Sequence, residues 1–113
     1  MASASAEVAE LLASAGAVDK AWSSLGSSDR WIRYAARLAI EAQPVSEWKA
    51  RALAETNSMA GLHGLLALAR RGEAADQVGL LKGLARWPLD SLDDEQKMIK
   101  LRVIQVSLAR HGL

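Results

Sequence analysis

The chain has 113 residues, half of them hydrophobic, and its 14 basic and 13 acidic side chains leave a net charge of only +1. This length suits one domain, covering residues 1–113, with a small core. The balanced charge provides no global field to attract nucleic acid or an anionic membrane, and the absence of cysteine excludes disulfides, a thiolate nucleophile, and haem attachment or zinc binding through cysteine.

Alanine and leucine supply most of the hydrophobic residues, phenylalanine is absent and β-branched residues are few. Because alanine and leucine favour helices, we expect an all-α protein. No apolar run approaches the ~18 residues of a membrane-spanning helix, so we expect no membrane span. The first residues also lack the features of a signal peptide, which favours a cytoplasmic location if the chain is the full gene product and otherwise leaves the compartment open.

Hydrophobic spacing and turn residues predict about six to seven short helices. Their approximate bounds are residues 4–14, 17–25, 28–42, 47–55, 59–71, 74–87 and 92–111. Ser28 and Ser46 are the expected N-caps of the third and fourth helices, and the polar turn at 56–58 is expected to cap the fifth. A capping-box pattern that begins at Ser91 opens the last helix.

The helix predicted over residues 28–42 is the one around which we expect the chain to be organised. At about 100° per residue, its apolar side chains fill an arc of roughly 200°, so neighbours are expected on more than one side. That arc contains Trp31, Ile32, Ala35, Ala36, Leu38, Ala39, Ile40 and Ala42. The remaining, polar side carries Arg30, Arg33, Tyr34, Arg37 and Glu41.

This polar side is open to two interpretations. Its arginines would suit the binding of phosphate or carboxylate groups, with the Tyr34 ring stacking on a base. The simpler interpretation is a solvated face stabilised by ion pairs, and the near-neutral charge favours it. The expected pairs are Arg37–Glu41 and Arg33–Asp29.

The last predicted helix, residues 92–111, has two apolar faces. One face carries Ile99, Val103 and Val106, and the other carries Leu101, Ile104 and Leu108. Two apolar faces near the end of a chain mean burial on both sides, or one face that awaits a partner. Leu101 and Leu108 are therefore candidate binding residues for another protein, for a second copy in a homodimer, or for the rest of a longer chain of which this is a fragment.

Two of the predicted helices, at 28–42 and 59–71, show a weak repeat at an offset of about 30 residues. The aligned pairs are Ile32 with Leu62, Ala36 with Leu66, and Ala39 with Ala69. Short helices joined by brief turns with such a period are typical of an α-solenoid, in which neighbouring units bury each other's faces.

Residues 29–36, an Asp followed by an apolar–Arg–x–Ala–Ala core, resemble the first-helix signature of HEAT-like repeats. The stretch that continues through 43–49 is similar to a HEAT-like segment of large multidomain bacterial proteins, which carry it beside β-propeller-type dehydrogenase-like domains and cytochrome c domains. The resemblance covers most of the chain from about Val18 on and implies an α–α superhelix that acts as a scaffold or interaction module. This chain has neither a haem motif nor a propeller-like strand pattern, so the resemblance does not imply redox activity.

No residue pattern supports catalysis or metal binding. The chain has 2 histidines, His63 and His111, which form no close metal-ligand pair, so we expect His63 to be an ordinary surface or boundary residue. The acidic residues around Ser91 lack the spacing of a calcium loop and are explained by helix capping. Motifs such as the P-loop, GxGxxG and GxSxG do not occur, so we expect no enzyme, no cofactor and no metal.

The 4 tryptophans are expected to pack in the core or between repeats. Trp31 belongs to the apolar arc and is expected to be core, whereas Trp48 and Trp87 are expected to be the more exposed.

Together these patterns predict a non-enzymatic protein–protein interaction or scaffolding module. The candidate partner-binding residues are Arg30, Arg33, Tyr34, Arg37, Leu101 and Leu108. The alternative is nucleic-acid binding through a basic ridge on the helix at 29–42, which would show a steep dependence on salt.

Overall fold

The structure, a computed structural model, describes residues 17–112, and within them every regular element is helical. Six α-helices are joined by turns, three of which form short 3-10 helices at residues 45–47, 74–76 and 89–91. The helices are α1 (Ala17–Ser24), α2 (Arg30–Glu41), α3 (Lys49–Ala54), α4 (Ser58–Arg71), α5 (Gln77–Leu84) and α6 (Asp94–His111). The predicted all-α class is confirmed for this part of the chain. The helix predicted at 4–14 lies outside the described residues.

Helix α4 is the centre of the domain, rather than α2. Every residue of α4 from Ala60 to Ala69 is buried, because α2, α3, α5 and α6 all pack on it. Helices α2, α4 and α6 are neighbours in a row, and α1, α3 and α5 pack against members of that row. A helix that is apolar around most of its circumference is stable only when it is enclosed in this way.

Glycines in α4 let two tryptophan rings approach its backbone, one from α1 and one from the turn that follows α5. A Cβ added at Gly64 would lie 3.2 Å from Cη2 of Trp22, and one added at Gly61 would lie 2.8 Å from Cζ2 of Trp87. Trp22, Trp48 and Trp87 are all buried. The expectation that Trp48 and Trp87 are the more exposed tryptophans is therefore wrong. Gly61 provides the space for the Trp87 ring beside α4, and Trp48 is fully buried with its Nε1 donating to the carbonyl of Gln43 at 3.2 Å.

Capping residues begin three of the helices. Asp29, rather than the predicted Ser28, caps α2 and accepts from the backbone N–H of Trp31 at 2.8 Å. Asn57, in the predicted polar turn, caps α4. Asp93 and Gln96 form a capping box at the start of α6, so the predicted box at Ser91 is shifted along the chain. These three N-caps are unevenly spaced, unlike a repeat of fixed period.

The predicted cap at Ser46 is wrong. Ser46 lies inside the 3-10 turn at 45–47, and α3 begins after Trp48 without a side-chain cap. The 3-10 turn replaces the cap because Trp48 donates its own backbone N–H to the carbonyl of Val45 at 3.1 Å.

Polar contacts hold α6 against α4 at both ends. Near the start of α6, Gln96 Nε2 donates to Ser58 Oγ at 3.0 Å. Near its end, Arg110 Nη1 donates to the carbonyls of Ala69 at 2.7 Å and Gly72 at 3.0 Å. These contacts hold both ends of α6 on α4, so α6 cannot tilt freely and its position beside α4 is fixed.

Candidate functional site

A groove of about 930 Å³ runs between α2 and α6, and α4 forms its floor. The groove is lined by Arg30, Trp31, Arg33, Tyr34 and Arg37 of α2, by His63, Leu66 and Arg70 of α4, and by Glu95, Met98, Ile99, Leu101, Arg102 and Gln105 of α6. Five arginines and a single glutamate therefore share one surface with exposed aromatic and aliphatic side chains.

The inward face of α2 differs from the predicted apolar arc. Arg33 and Arg37 are 3% and 8% exposed, whereas Trp31 is 52% exposed. The fully buried residues Ala36 and Ile40 are each one helical turn from an arginine, so the same side of α2 carries all four side chains. The predictions of a solvated arginine ridge and of a core Trp31 are both wrong. Tyr34, by contrast, is exposed at the rim as expected.

Arg33 is held by groups from two directions. Its Nη1 donates to the backbone carbonyl of Ser27 at 2.6 Å, and its Nη2 donates to Oε1 of Glu95 on α6. The predicted pair with Asp29 does not form, because the Asp29 carboxylate caps α2 instead. A buried guanidinium is tolerated only when it is paired, so the contact with Glu95 makes the inward orientation of Arg33 stable.

Glu41 is a buried carboxylate that serves two arginines. Its Oε2 accepts from Nη1 of Arg37, and its Oε1 accepts from Nε of Arg70 at 2.9 Å. The predicted Arg37–Glu41 pair is therefore confirmed. The contact with Arg70 also ties α2 to α4 at the end of the groove opposite Glu95.

His63 lies on the floor of the groove beside these arginines. It is only 9% exposed, so the expectation of a surface or boundary residue is wrong. Burial, and then the positive charges of Arg33 and Arg37, lower the pKa of His63 from its ordinary value of 6.5 to about 4. The imidazole is therefore neutral at pH 7.

Four buried nitrogens beneath the groove have no hydrogen-bond partner among the described residues. They are Nδ1 and Nε2 of His63, Nε of Arg33 and Nε of Arg37. Unpaired polar atoms are uncommon in protein interiors, and a cluster of them marks a place where a protein differs from a well-satisfied core. No pattern within a single helix indicates this cluster, because its residues come from both α2 and α4.

The rim on the α2 side presents two aromatic rings, each next to a guanidinium. The Cζ atom of Arg30 lies 5.3 Å from the centre of the Trp31 ring, and that of Arg37 lies 5.3 Å from the centre of the Tyr34 ring. These distances are within the range of cation–π attraction. The rings are therefore held at the surface in defined positions.

The α6 side of the groove carries three apolar residues, Met98, Ile99 and Leu101, beside Glu95, Arg102 and Gln105. Met98 is 67% exposed and Leu101 is about half exposed, while Val103 on the opposite side of α6 is fully buried. The face predicted from Ile99, Val103 and Val106 packs in or against the core, as expected. The face predicted from Leu101, Ile104 and Leu108 is confirmed only in part, because Leu101 and Leu108 are exposed whereas Ile104 packs against the core. Leu101 lines the groove; Leu108 is also exposed but lies outside it.

The structure thus brings five of the six predicted binding residues together and leaves Leu108 apart. Sequence reasoning missed His63, Arg70, Glu95, Met98 and Arg102. Their side chains come from α4 and α6, so only helix packing places them opposite α2. In the described part of the chain, no group of His, Asp or Glu side chains is arranged to hold a metal ion.

Among residues 17–112, no helix combines the length and apolar character needed to cross a membrane. Comparisons of this chain with protein-family models, with curated proteins and with solved structures give no match.

Proposed function

We propose that this chain is a non-enzymatic protein–protein interaction module, built as a HEAT-like α-solenoid, and that the groove between α2 and α6 is its binding surface. One observation carries the proposal: the arginine side of α2 and the exposed apolar face of α6 line the same groove. These two features are independent candidate sites in the sequence, and their convergence on one surface favours a single ligand that contacts both.

The arrangement of the helices supports the solenoid part of the proposal. A row of α2, α4 and α6, with α1, α3 and α5 packed on members of that row, is what stacked helical hairpins produce. Repeats of this kind bind along an extended surface made by equivalent helices. The groove lies on α2, α4 and α6, the helices that would be equivalent in such an array.

The side chains in the groove are those that protein interfaces favour. Arg, Trp, Tyr and Met are enriched at protein–protein interfaces, and Trp, Tyr and Arg dominate their energetic centres. The exposed residues Trp31, Tyr34 and Met98 lie beside Arg30 and Arg102 in this groove. Met98, Trp31 and Tyr34 are all about half or more exposed and line one groove, and a grouping of exposed apolar surface of this kind favours an interaction site.

Nucleic-acid binding is the second candidate function, and the five arginines beside two exposed rings favour it. The ion pairs weigh against it. Three of the five arginines already contact Glu41 or Glu95, so among the described residues only Arg30 and Arg102 line the groove without a carboxylate contact. Two such cations would give a shallow dependence on salt, with a slope of about −2 or less in magnitude.

The experiment that tests the proposal compares two charge-reversal variants in capture from cell lysate. Arg30→Glu with Arg102→Glu alters the groove, and Arg71→Glu with Lys82→Glu makes the same change of net charge at exposed positions outside it. Arg33 and Arg37 are unsuitable because they are buried and paired, so reversal would unfold the domain.

We expect the control variant to retain a protein captured by the wild type and the groove variant to lose it, with both variants folded by circular dichroism. Capture that survives in the groove variant contradicts the proposal. Capture that disappears on nuclease treatment supports nucleic-acid binding instead. Self-association that is lost with Leu101→Lys and Leu108→Lys would identify a homodimer through α6.

A further inference from the structure

We infer that the groove between α2 and α6 binds an acidic amphipathic segment of a partner protein, with carboxylates directed to α2 and an apolar side chain directed to α6. This inference rests on the proposed function and specifies the chemistry of the partner. It follows from the two walls of the groove, which differ in charge and hydrophobicity.

The α2 wall and the floor carry a surplus of positive charge. Four of the five arginines come from α2 and α4, and within residues 17–112 the carboxylates that contact them are those of Glu41 and Glu95. Arg33, Arg37 and Arg70 are paired with these two glutamates, so Arg30 is the cation of this wall and floor without a carboxylate contact among residues 17–112. A carboxylate of a ligand gains a charge-assisted contact with Arg30 that the paired arginines do not offer.

The polar atoms beneath this wall also favour an anion over an apolar group. His63 is buried and bears no positive charge at neutral pH, and neither of its nitrogens nor the Nε–H of Arg33 or Arg37 has a partner among residues 17–112. A carboxylate offers acceptors only, and it pairs with guanidinium groups through charge-assisted hydrogen bonds. These nitrogens are buried beneath the surface of the groove, so they add unpaired N–H dipoles close to the α2 wall rather than direct contacts to a ligand.

The α6 wall needs a different kind of group. Met98 and Leu101 are exposed, and Ile99 lies partly buried beneath them. Methionine adapts to ligands of varied shape, so this wall suits a Leu, Ile, Met or Phe side chain. A phosphate backbone would bury these apolar side chains without gain, which favours a peptide over a nucleic acid.

The length of the groove sets the size of the segment. Its α6 wall runs from Glu95 to Gln105, which is about 15 Å at ~1.5 Å per helical residue. That distance accommodates about three turns of a helix or about five extended residues. A single acidic residue followed within one turn by an apolar residue is enough to contact both walls.

The test is a selection from a displayed library of random peptides long enough to span the groove, with counter-selection against the Arg30→Glu and Arg102→Glu variant. We expect enriched peptides to combine Asp or Glu with a large apolar residue at helical or alternating spacing. For the best peptide, replacing its acidic residues with Lys, or its apolar residues with Ala, should each weaken binding at least about tenfold, which corresponds to ~1.4 kcal/mol.

Binding can be followed without a label on the protein. All 4 tryptophans of the chain lie within the described residues, and Trp31 alone among them is exposed. Its emission should shift to shorter wavelength when a peptide covers it, and Trp31→Phe should remove that signal. Fluorescence anisotropy of labelled peptide provides the affinity independently.

The outcomes separate the inference from the proposed function. Enriched peptides that are basic or uncharged, tolerance of the Lys or Ala replacement, or no enrichment at all overturns the inference. If the groove variant still loses its captured protein in such a case, the proposed function stands without the acidic partner. If single-stranded DNA displaces the best peptide more strongly than the peptide's own unlabelled form does, a nucleic acid replaces the peptide as the ligand of the groove.

Discussion

His63 makes the stability of this domain depend on pH between about 8 and 5. The pKa of the buried imidazole is about 4 in the folded protein, against an ordinary value of 6.5. Below pH 6.5 the unfolded chain therefore takes up a proton that the folded protein excludes until the pH approaches 4. The contribution to stability is fully present above pH 6.5 and is lost as the pH falls through this window.

The magnitude follows from the two pKa values. Integrating proton uptake between about pH 8 and about pH 5 gives a loss of about 2 kcal/mol in the free energy of unfolding. Asp76 and Glu55, two carboxylates whose pKa values are shifted in the folded protein, do not titrate in this pH range. Asp76 and Glu55 have pKa values below 3.8 and 4.5 because each accepts backbone hydrogen bonds, so both remain ionised at pH 5.

The perturbation is His63→Leu, which removes the titrating group and two buried nitrogens that have no hydrogen-bond partner among residues 17–112. Urea unfolding at about pH 8 and about pH 5 measures the loss for wild type, for this variant and for the control His111→Gln. We expect wild type and the control to lose about 2 kcal/mol over this range, and His63→Leu to lose less than about 0.5 kcal/mol. An equal loss in wild type and His63→Leu would refute the burial argument.

Two further comparisons test the packing and the charges of the fold. Gly61→Ala should destabilise the domain by about 2 kcal/mol because its methyl group overlaps the buried Trp87 ring. Gly79→Ala should stabilise it by about 0.5 kcal/mol, because the side-chain atoms nearest to the new methyl group would be 3.8 Å away. Equal urea midpoints for the two variants would contradict this prediction. Glu41→Ala should cost about 3 kcal/mol because it leaves a buried guanidinium without its carboxylate, and the exposed control Glu47→Ala should change stability by less than about 0.5 kcal/mol. Thermal unfolding of the two glutamate variants checks this, and a similar small effect for both would show that the buried pair is dispensable.

Local patterns in the sequence determined the helices and part of the site. The 3.6-residue spacing of Leu and Ala predicts each helix in the described range, because that spacing is set by backbone geometry alone. Asn57 caps α4 because polar turn residues are favoured at the starts of helices. The apolar residues on both sides of α6 are likewise visible within that one helix. Leu101 is found by this reasoning, since an unpartnered apolar face is visible in one helix.

Only the tertiary structure decided which side of α2 faces inward. Hydropathy assigns arginine to the surface and tryptophan to the core, yet Arg33 is buried and Trp31 is exposed. The buried arginine needs a carboxylate, and Glu95 reaches it from α6, which is remote in the sequence. Ion pairing across helices thus overrides the preference of a single side chain for water, and no pattern within one helix contains that information.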